Sequence, residues 1–244
     1  MNTRPMLAVA YGTRPQVIKT ARLLPALRRR WSVMTIDTGQ HYDYELNALL
    51  YEQLGVTAPD LVLGVGSGPR DEQLERIQAG CLPLLQAARP RAMVVIGDTN
   101  STLGSALAAA RVGIPVVHVE AGLRSHVGAM AEEQNRRQVD ALSALLCTPS
   151  VAADAWLAAE HLPGRVARTG DVARDVLEFA RCAGTIPVAL PDWPLAPGEG
   201  YLFATLHRAE LTNDADRLGG AIETLSLLPL PVVIAVHPRT HHRM

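Results

Sequence analysis

Pro115-Val-Val-His-Val-Glu-Ala-Gly-Leu-Arg-Ser125, followed closely by Glu132-Glu-Gln-Asn-Arg136, decides how this chain is expected to fold. Val116, Val117 and Val119 form a short apolar run of the kind that makes a buried strand. The run delivers His118, Glu120 and Arg124 to its C-terminal mouth, where open α/β sheets bind their ligands. Glu132 and Glu133 then open a helical stretch. Arg124 or Glu133 taken singly reads equally well as a solvated loop residue. Carboxylates and arginines gathered together at one strand end suit proton transfer on a phosphorylated or carboxylated ligand.

Working outward, the same rhythm repeats. Met6–Tyr11 is a short apolar run that leads through Gly12-Thr-Arg-Pro15 into an amphipathic stretch from Val17 to about Arg29. Val33–Asp37 is the next strand and ends in Thr38-Gly-Gln-His41. Asp43 caps a helical pattern to Leu54, Leu61–Val65 is a third strand, and Asp71 opens a long helix to about Ala88. Ala92–Ile96 is strongly β-branched, and Gly97-Asp-Thr-Asn-Ser-Thr102 turns into a helix at Leu103–Arg111, with Ser101 as the expected cap. After the opening stretch come strands at Leu145–Thr148 and Val166–Thr169 and helices at 152–160 and 171–180. Strands alternating with helices specify an α/β fold with a parallel, Rossmann-like sheet covered on both faces. Residues 1–186 form the expected N-terminal domain.

Between 187 and 200 the pattern breaks. Pro187, Pro191, Pro194 and Pro197 with Gly198 and Gly200 leave no periodicity, which reads as an interdomain linker. Beyond it, Tyr201–Leu206, a helix from Asn213 (the expected N-cap) to Leu228, and Pro231–Val236 make one βαβ unit over 201–244. So small a unit covers too little of its own apolar surface to stand alone; it docks on the first sheet, pairs with another chain, or is the front of an incomplete second domain.

Composition narrows the function classes. With 23 basic and 24 acidic residues among 244, the net charge is -1, so no basic excess points to nucleic acid. There is no apolar run of the ~18 residues a membrane helix needs and no signal-peptide pattern, so no membrane association and a cytoplasmic location are expected. Cys81, Cys147 and Cys182 are odd in number and widely spaced; free thiols and no metal site are expected. Of the 23 basic residues, 22 are arginine and Lys19 is the one lysine. A lysine kept against that bias fits a need for a compact, rotatable ammonium, which arginine's planar fork does not mimic.

Four loops that follow strands carry the candidate chemistry. Gly12-Thr-Arg-Pro15 can offer backbone N–H groups and Arg14 to an anion at a helix N-terminus. It is neither GxGxxG nor a Walker loop, which argues against a nucleotide triphosphatase. Asp98 sits on a tight turn, where simple turn chemistry is the plain alternative. The third loop carries Glu120, Arg124 and Glu132. The fourth, Thr205-Leu-His207-Arg208-Ala-Glu210, offers His207 as an acid, a base or a diphosphate partner beside Arg208.

GTRP with Lys19, TGQHYD, GDTxS, HVEAGLRS, EExNR and HRxE occur in this order from residue 7 to about 240, and together they resemble the non-hydrolysing UDP-N-acetylglucosamine 2-epimerases of bacteria. The resemblance implies a GT-B-type arrangement of two Rossmann-like domains, no cofactor, a UDP-sugar substrate, a homodimer and a role in surface polysaccharide precursor synthesis. It implies reversible epimerisation of UDP-GlcNAc to UDP-ManNAc by elimination and re-addition of UDP. Asp98, Glu120 and Glu132 match the acid/base carboxylates, with Asp98 as the C2 base. His207 is counted with the catalytic set, although, like Arg14, Lys19 and Arg208, it matches the diphosphate side. Arg124 and Arg136 are expected to bind substrate, and Gln40 and His41 match a second, activating UDP-GlcNAc site.

The chain departs from the pattern at Gln16, where a glutamate is common, at Ala131, at Leu211, and at Val127-Gly-Ala129, where a basic segment is usual. The alternatives are an inactive nucleotide-sugar-binding paralogue, a GT-B glycosyltransferase, and relatives acting on a UDP-diacetamido-uronic acid or releasing free sugar.

Overall fold

Strand β1 (Met6–Tyr11) shows how the sheet is made. Alternate side chains point to opposite faces of a strand. Leu7, Val9 and Tyr11 accordingly join one apolar cluster with Val94, Ile96 and Val119, and Ala8 and Ala10 join another with Ile36, Met93 and Val95. A strand buried on both faces needs apolar residues at every position, which these sequences supply.

The computed structural model describes residues 4–40, 51–52, 54–183, 195, 198–206, 209–236 and 238–241. They divide into two compact units, Met1–Thr185 and Ile186–Met244. In the first, β1 is followed by α1 (Arg14–Arg28), β2 (Ser32–Asp37), β3 (Leu61–Val62), α2 (Arg70–Ala88), β4 (Ala92–Ile96) and α3 (Asn100–Arg111). Then come β5 (Val116–Val119), α4 (Ala131–Leu142), β6 (Ser143–Thr148), α5 (Val151–Ala159), β7 (Arg165–Arg168) and α6 (Val172–Ala183). The sheet runs β3-β2-β1-β4-β5-β6-β7, and every neighbouring pair is parallel. The chain reverses its direction of travel between β1 and β4, so the loops after these strands flank the crevice expected at such a switch point.

Helix α1 lays Val17, Ala21 and Leu24 on one face of the sheet, and α2 and α3 lay Ile77, Leu85, Leu103 and Ala106 on the other. Each large aliphatic side chain so buried contributes about 1.5–3 kcal/mol. The expected elements are present with shifted ends. β3 is two residues long rather than five. Thr99, not Ser101, caps α3, its hydroxyl accepting from the Thr102 N–H at 3.4 Å. Ser101 is engaged elsewhere, its hydroxyl 2.6 Å from that of Thr38. The expected helix at 43–54 and most of the linker lie outside the described residues.

The second unit holds β8 (Leu202–Ala204), α7 (Ala209–Thr212), α8 (Ala215–Ser226), β9 (Val232–Ile234) and α9 (Pro238–His241). β8 and β9 pair in parallel, Leu202 opposite Val232. Asp214, not Asn213, caps α8, its carboxylate accepting from the Asp216 and Arg217 N–H groups at 3.1 Å. The carboxylate's acceptor reach to two N–H groups at once explains the choice. Phe203 is 67% exposed and Leu227 80%, with Leu230 and Val236 also exposed.

Among the described residues no helix is long and apolar enough to cross a membrane. Cys81 and Cys147 are buried free thiols and Cys182 is exposed.

Gly12 separates β1 from α1 where a β-carbon would collide with the Thr38 and Ser101 hydroxyls. Gly12→Ala is expected to lower stability by about 1–3 kcal/mol, read by urea unfolding, because the crowded atoms are pinned by hydrogen bonds. The apolar surface at Phe203, Leu227 and Leu230 is expected to bind a hydrophobic dye and to drive concentration-dependent self-association by light scattering. Phe203→Ser should weaken both signals.

Candidate active site

The loop after β5 begins with a backbone anomaly. Glu120 has φ +71°, a left-handed conformation that costs a non-glycine residue of order 1 kcal/mol. Surrounding bonds hold it there. The N–H groups of Glu120 and Ala121 both donate to the Cys147 carbonyl at 3.0 Å, and the Arg136 guanidinium donates to the Glu120 carbonyl at 2.7 Å. The conformation turns the Glu120 carboxylate to Lys19 on α1, with which it forms an ion pair. The solitary lysine is thus tied to one of the three candidate carboxylates.

The other guanidinium nitrogen of Arg136 pairs with the Asp98 carboxylate. One arginine on α4 therefore spans the ends of β4 and β5 and fixes the spacing of Asp98 and Glu120. The Asp98 turn is held from a third side by Asn135, whose amide donates to the Asp98 carbonyl at 3.0 Å and to the Asn100 side chain at 2.9 Å. Arg70 donates to Asn135 in turn at 2.7 Å.

Asp98, Leu123, Ser125, Met130, Glu132 and Arg136 line an open cleft of about 410 Å³. Glu132 is exposed in the first turn of α4, and no hydrogen bond or ion pair ties it among the described residues. Its neighbour Glu133 faces inward. It accepts from the Ser125 N–H at 2.7 Å and hydroxyl at 3.0 Å, and from Arg137 at 2.9 Å. Burial pushes the Glu133 carboxyl up, but these bonds outweigh it and hold it below its ordinary range. Both glutamates and Arg124 border the cleft, but Glu132 is exposed while Glu133 is buried and anchors the loop.

Three expectations from sequence are corrected. Gly12 and Thr13 do not offer their N–H groups to an anion, because both donate to the Gln16 side-chain oxygen at 2.9 and 3.2 Å. The Gln16 amide nitrogen donates onward to the Ile96 carbonyl at 2.7 Å and the Thr102 hydroxyl at 2.9 Å. That leaves Arg14, half-buried at the start of α1 and unpaired among the described residues, as the cation of this loop. His118 does not reach the mouth of β5 but is wholly buried. Arg124 turns inward too: its side chain is 0% exposed, bridging Asp140 at 2.8 Å and both oxygens of Glu160 at 2.7–2.8 Å.

Gln40, expected near a second ligand, accepts from the Ser101 N–H at 3.1 Å and hydroxyl at 2.7 Å, at the start of α3. His41, His207 and Arg208 lie outside the described residues.

Asp140 is what sequence reading missed. It is fully buried, accepting from His118 at 2.7 Å, Arg124 at 2.8 Å and the Gly122 N–H at 3.2 Å. Its signal was its place on α4, a helical turn beyond Arg136 and two beyond Glu133, so that a polar face is the buried one. Burial raises the Asp140 carboxyl, but the His118 bond and charge and then Arg124 bring it below the ordinary range. Glu160 is lowered chiefly by its hydrogen bond to Arg124.

Three carboxyls lowered by folding bind fewer protons in the native state than in the unfolded one. Their stabilisation is complete above the unfolded values near pH 4 and is lost as pH falls through the lower folded values. Urea unfolding at pH 7, 4 and 3 should show stability falling most steeply below about pH 4. A flat profile would mean these carboxylates are not held as described.

This arrangement can be set beside known proteins. The sequence model of the UDP-N-acetylglucosamine 2-epimerase family matches residues 26–244. The UDP-2,3-diacetamido-2,3-dideoxy-D-glucuronate 2-epimerase of Pseudomonas aeruginosa is 36% identical over 94% of this chain and 66% of its own length. The crystal structure of the Methanocaldococcus jannaschii UDP-GlcNAc 2-epimerase, in complex with UDP-GlcNAc and UDP, superposes with a TM-score of 0.87 at 31% identity, covering 98% of this chain and 67% of that one. The Neisseria meningitidis enzyme bound to UDP-GlcNAc gives 0.83 at 25% identity, covering 98% and 68%. The chain thus spans about two thirds of the length of these relatives. By the match over most of its length, the chain belongs to the UDP-N-acetylglucosamine 2-epimerase family.

Proposed function

We propose that this chain carries the proton-transfer machinery for reversible C2 epimerisation of UDP-GlcNAc to UDP-ManNAc. The observation that supports this most directly is Arg136, which spans Asp98 and the Glu120 backbone beside a cleft that Glu132 also lines. A C2 proton is weakly acidic, so a base and a second proton donor must address opposite faces of the sugar.

In this reading Asp98 removes the C2 proton. The electrons of the C2–H bond form a C1=C2 double bond, and the C1–O bond breaks on the opposite face, its electron pair leaving with UDP. Reversal adds a proton to C2 from the other face while a UDP oxygen re-forms the bond to C1. Glu120 and Glu132 supply the counterpart acid and its orientation. Lys19 and Arg14 serve the departing diphosphate, a task the family resemblance also gives to Arg208 and to His207, the latter as acid or diphosphate partner. Fixed cations stabilise the charge that develops there without reorganising. The setting is cytoplasmic synthesis of surface polysaccharide precursors, with a homodimer as the assembly.

A second reading changes only the sugar. The identity to the Pseudomonas aeruginosa enzyme favours a UDP-diacetamido-uronate, for which the same C2 chemistry applies.

The test is incubation with each UDP-sugar in deuterated water, following C2 by proton NMR. Deuterium at C2 together with the C2 epimer is expected for one of them. Asp98→Asn should lower the exchange rate at least 100-fold while leaving far-UV circular dichroism unchanged. Exchange undiminished in that variant would remove Asp98 as the base.

A further inference from the structure

Beneath the candidate carboxylates lies a group of charges that the proposed chemistry does not use. His118 and the Arg124 and Asp140 side chains are entirely buried, and Glu160 is largely so. The imidazole of His118 has two short bonds, from Nδ1 to the Asp140 carboxylate and from Nε2 to the Gly97 carbonyl, each 2.7 Å. A carbonyl only accepts, so Nε2 carries a proton. Nδ1 shares its bond with an Asp140 carboxyl that also accepts from Arg124 and from the Gly122 N–H, so both ring nitrogens of His118 are engaged. Arg124 pairs with Asp140 and Glu160, and Arg137 pairs with Glu160 as well, so the negative groups are balanced by positive ones. That balance is the condition under which buried charges are tolerated.

The position of the carbonyl that His118 grips is what matters. Gly97 has φ +69° and immediately precedes Asp98. Its carbonyl belongs to the peptide whose N–H is that of Asp98. The turn is thereby held at Gly97 by His118, at the Asp98 carbonyl by Asn135 and at the Asp98 carboxylate by Arg136. Of these three, the His118 bond is the one that comes from the neighbouring strand of the sheet, from a side chain with no exposure to solvent.

We propose that His118 and Asp140 are positioning residues: an imidazole bonded at both ring nitrogens, locked by Asp140, fastens the Gly97–Asp98 turn of β4 to the adjacent strand β5 and so holds Asp98 in the geometry for proton transfer. Arg124 and Glu160 fasten the lock from the other side, which is why Arg124 faces inward. The link to catalysis rests on the epimerase reading; the fastening itself does not.

The experiment therefore has two independent readouts on the 244-residue chain. Long-range 15N NMR of the histidine rings is expected to show the His118 Nε2 protonated, with a ring proton that exchanges slowly. An unprotonated Nε2, or a ring proton in fast exchange with water, overturns the proposal. In Asp140→Asn and His118→Gln, the Asp98 amide resonance is expected to move and to lose protection from hydrogen exchange, whereas an unmoved Asp98 overturns it.

The second readout is C2 epimerisation by those variants that retain wild-type circular dichroism. A fall in kcat of about 10- to 100-fold with KM within about twofold is expected, since small misplacements of a reacting group cost rate rather than binding. Unchanged kcat, or a loss confined to KM, overturns the positioning role. If the unsubstituted chain shows no exchange at C2, the epimerase reading fails for it, and the ring-nitrogen and Asp98 signals still decide whether the lock exists.

Discussion

A carboxylate with no access to water, Asp140, is the constraint around which the active end of the sheet is arranged. An isolated charge in that position is prohibitively expensive. Asp140 is tolerated because His118, Arg124 and the Gly122 N–H all donate to it. Each donor comes from β5 or the loop that follows, and Asp140 itself is on α4. Satisfying one carboxylate therefore fixes the helix, the strand end and the loop relative to each other. His118 extends the constraint to β4 through the Gly97 carbonyl, and Arg124 extends it to the end of α5 through Glu160. Removing any partner would leave an unpaired buried charge, a loss of about 3–5 kcal/mol in comparable cases.

Above this layer lies a second one that is partly open to solvent. Asp98 and Glu120 each have one cationic partner, Arg136 and Lys19, and Glu132 has none among the described residues. The division is physically sensible. The groups that hold geometry are buried and fully bonded, whereas the three candidate carboxylates are at least partly exposed. Arg136 belongs to both layers, being almost buried yet touching both Asp98 and Glu120. The pairing of Lys19 with Glu120 also gives a reason for one lysine in an arginine-rich chain. A single ammonium can bond one carboxylate and still rotate toward another anion, whereas a guanidinium fork commits to a plane.

The second unit has a different character. Its two three-residue strands and one principal helix leave Phe203 and Leu227 largely exposed. Among the described residues, its paired strands and helices offer too few facing surfaces to bury these apolar side chains. The relatives that the chain matches are about half as long again, so their full activity is a property of a longer polypeptide than the one described.

The sequence by itself determined the parallel sheet. Apolar runs such as Met6–Tyr11 and Ala92–Ile96, separated by turn residues and amphipathic stretches, admit little else, because backbone periodicity is a local property. It also located Asp98, Glu120 and Glu132 as a group, since all three follow strands or open the next helix. Only the tertiary structure decided which charged residues stay open to solvent and which are bonded beneath. Glu132 and Glu133 are adjacent and chemically identical, yet a 100° step around α4 leaves one exposed and buries the other against Ser125. Arg124 and His118 read as active-site groups until Asp140 and Glu160, 16 and 36 residues beyond Arg124, are brought against them. Local pattern carries no information about which distant carboxylate will be folded into contact, and that pairing, not residue type, divides the charged groups left open at the cleft from those buried beneath it.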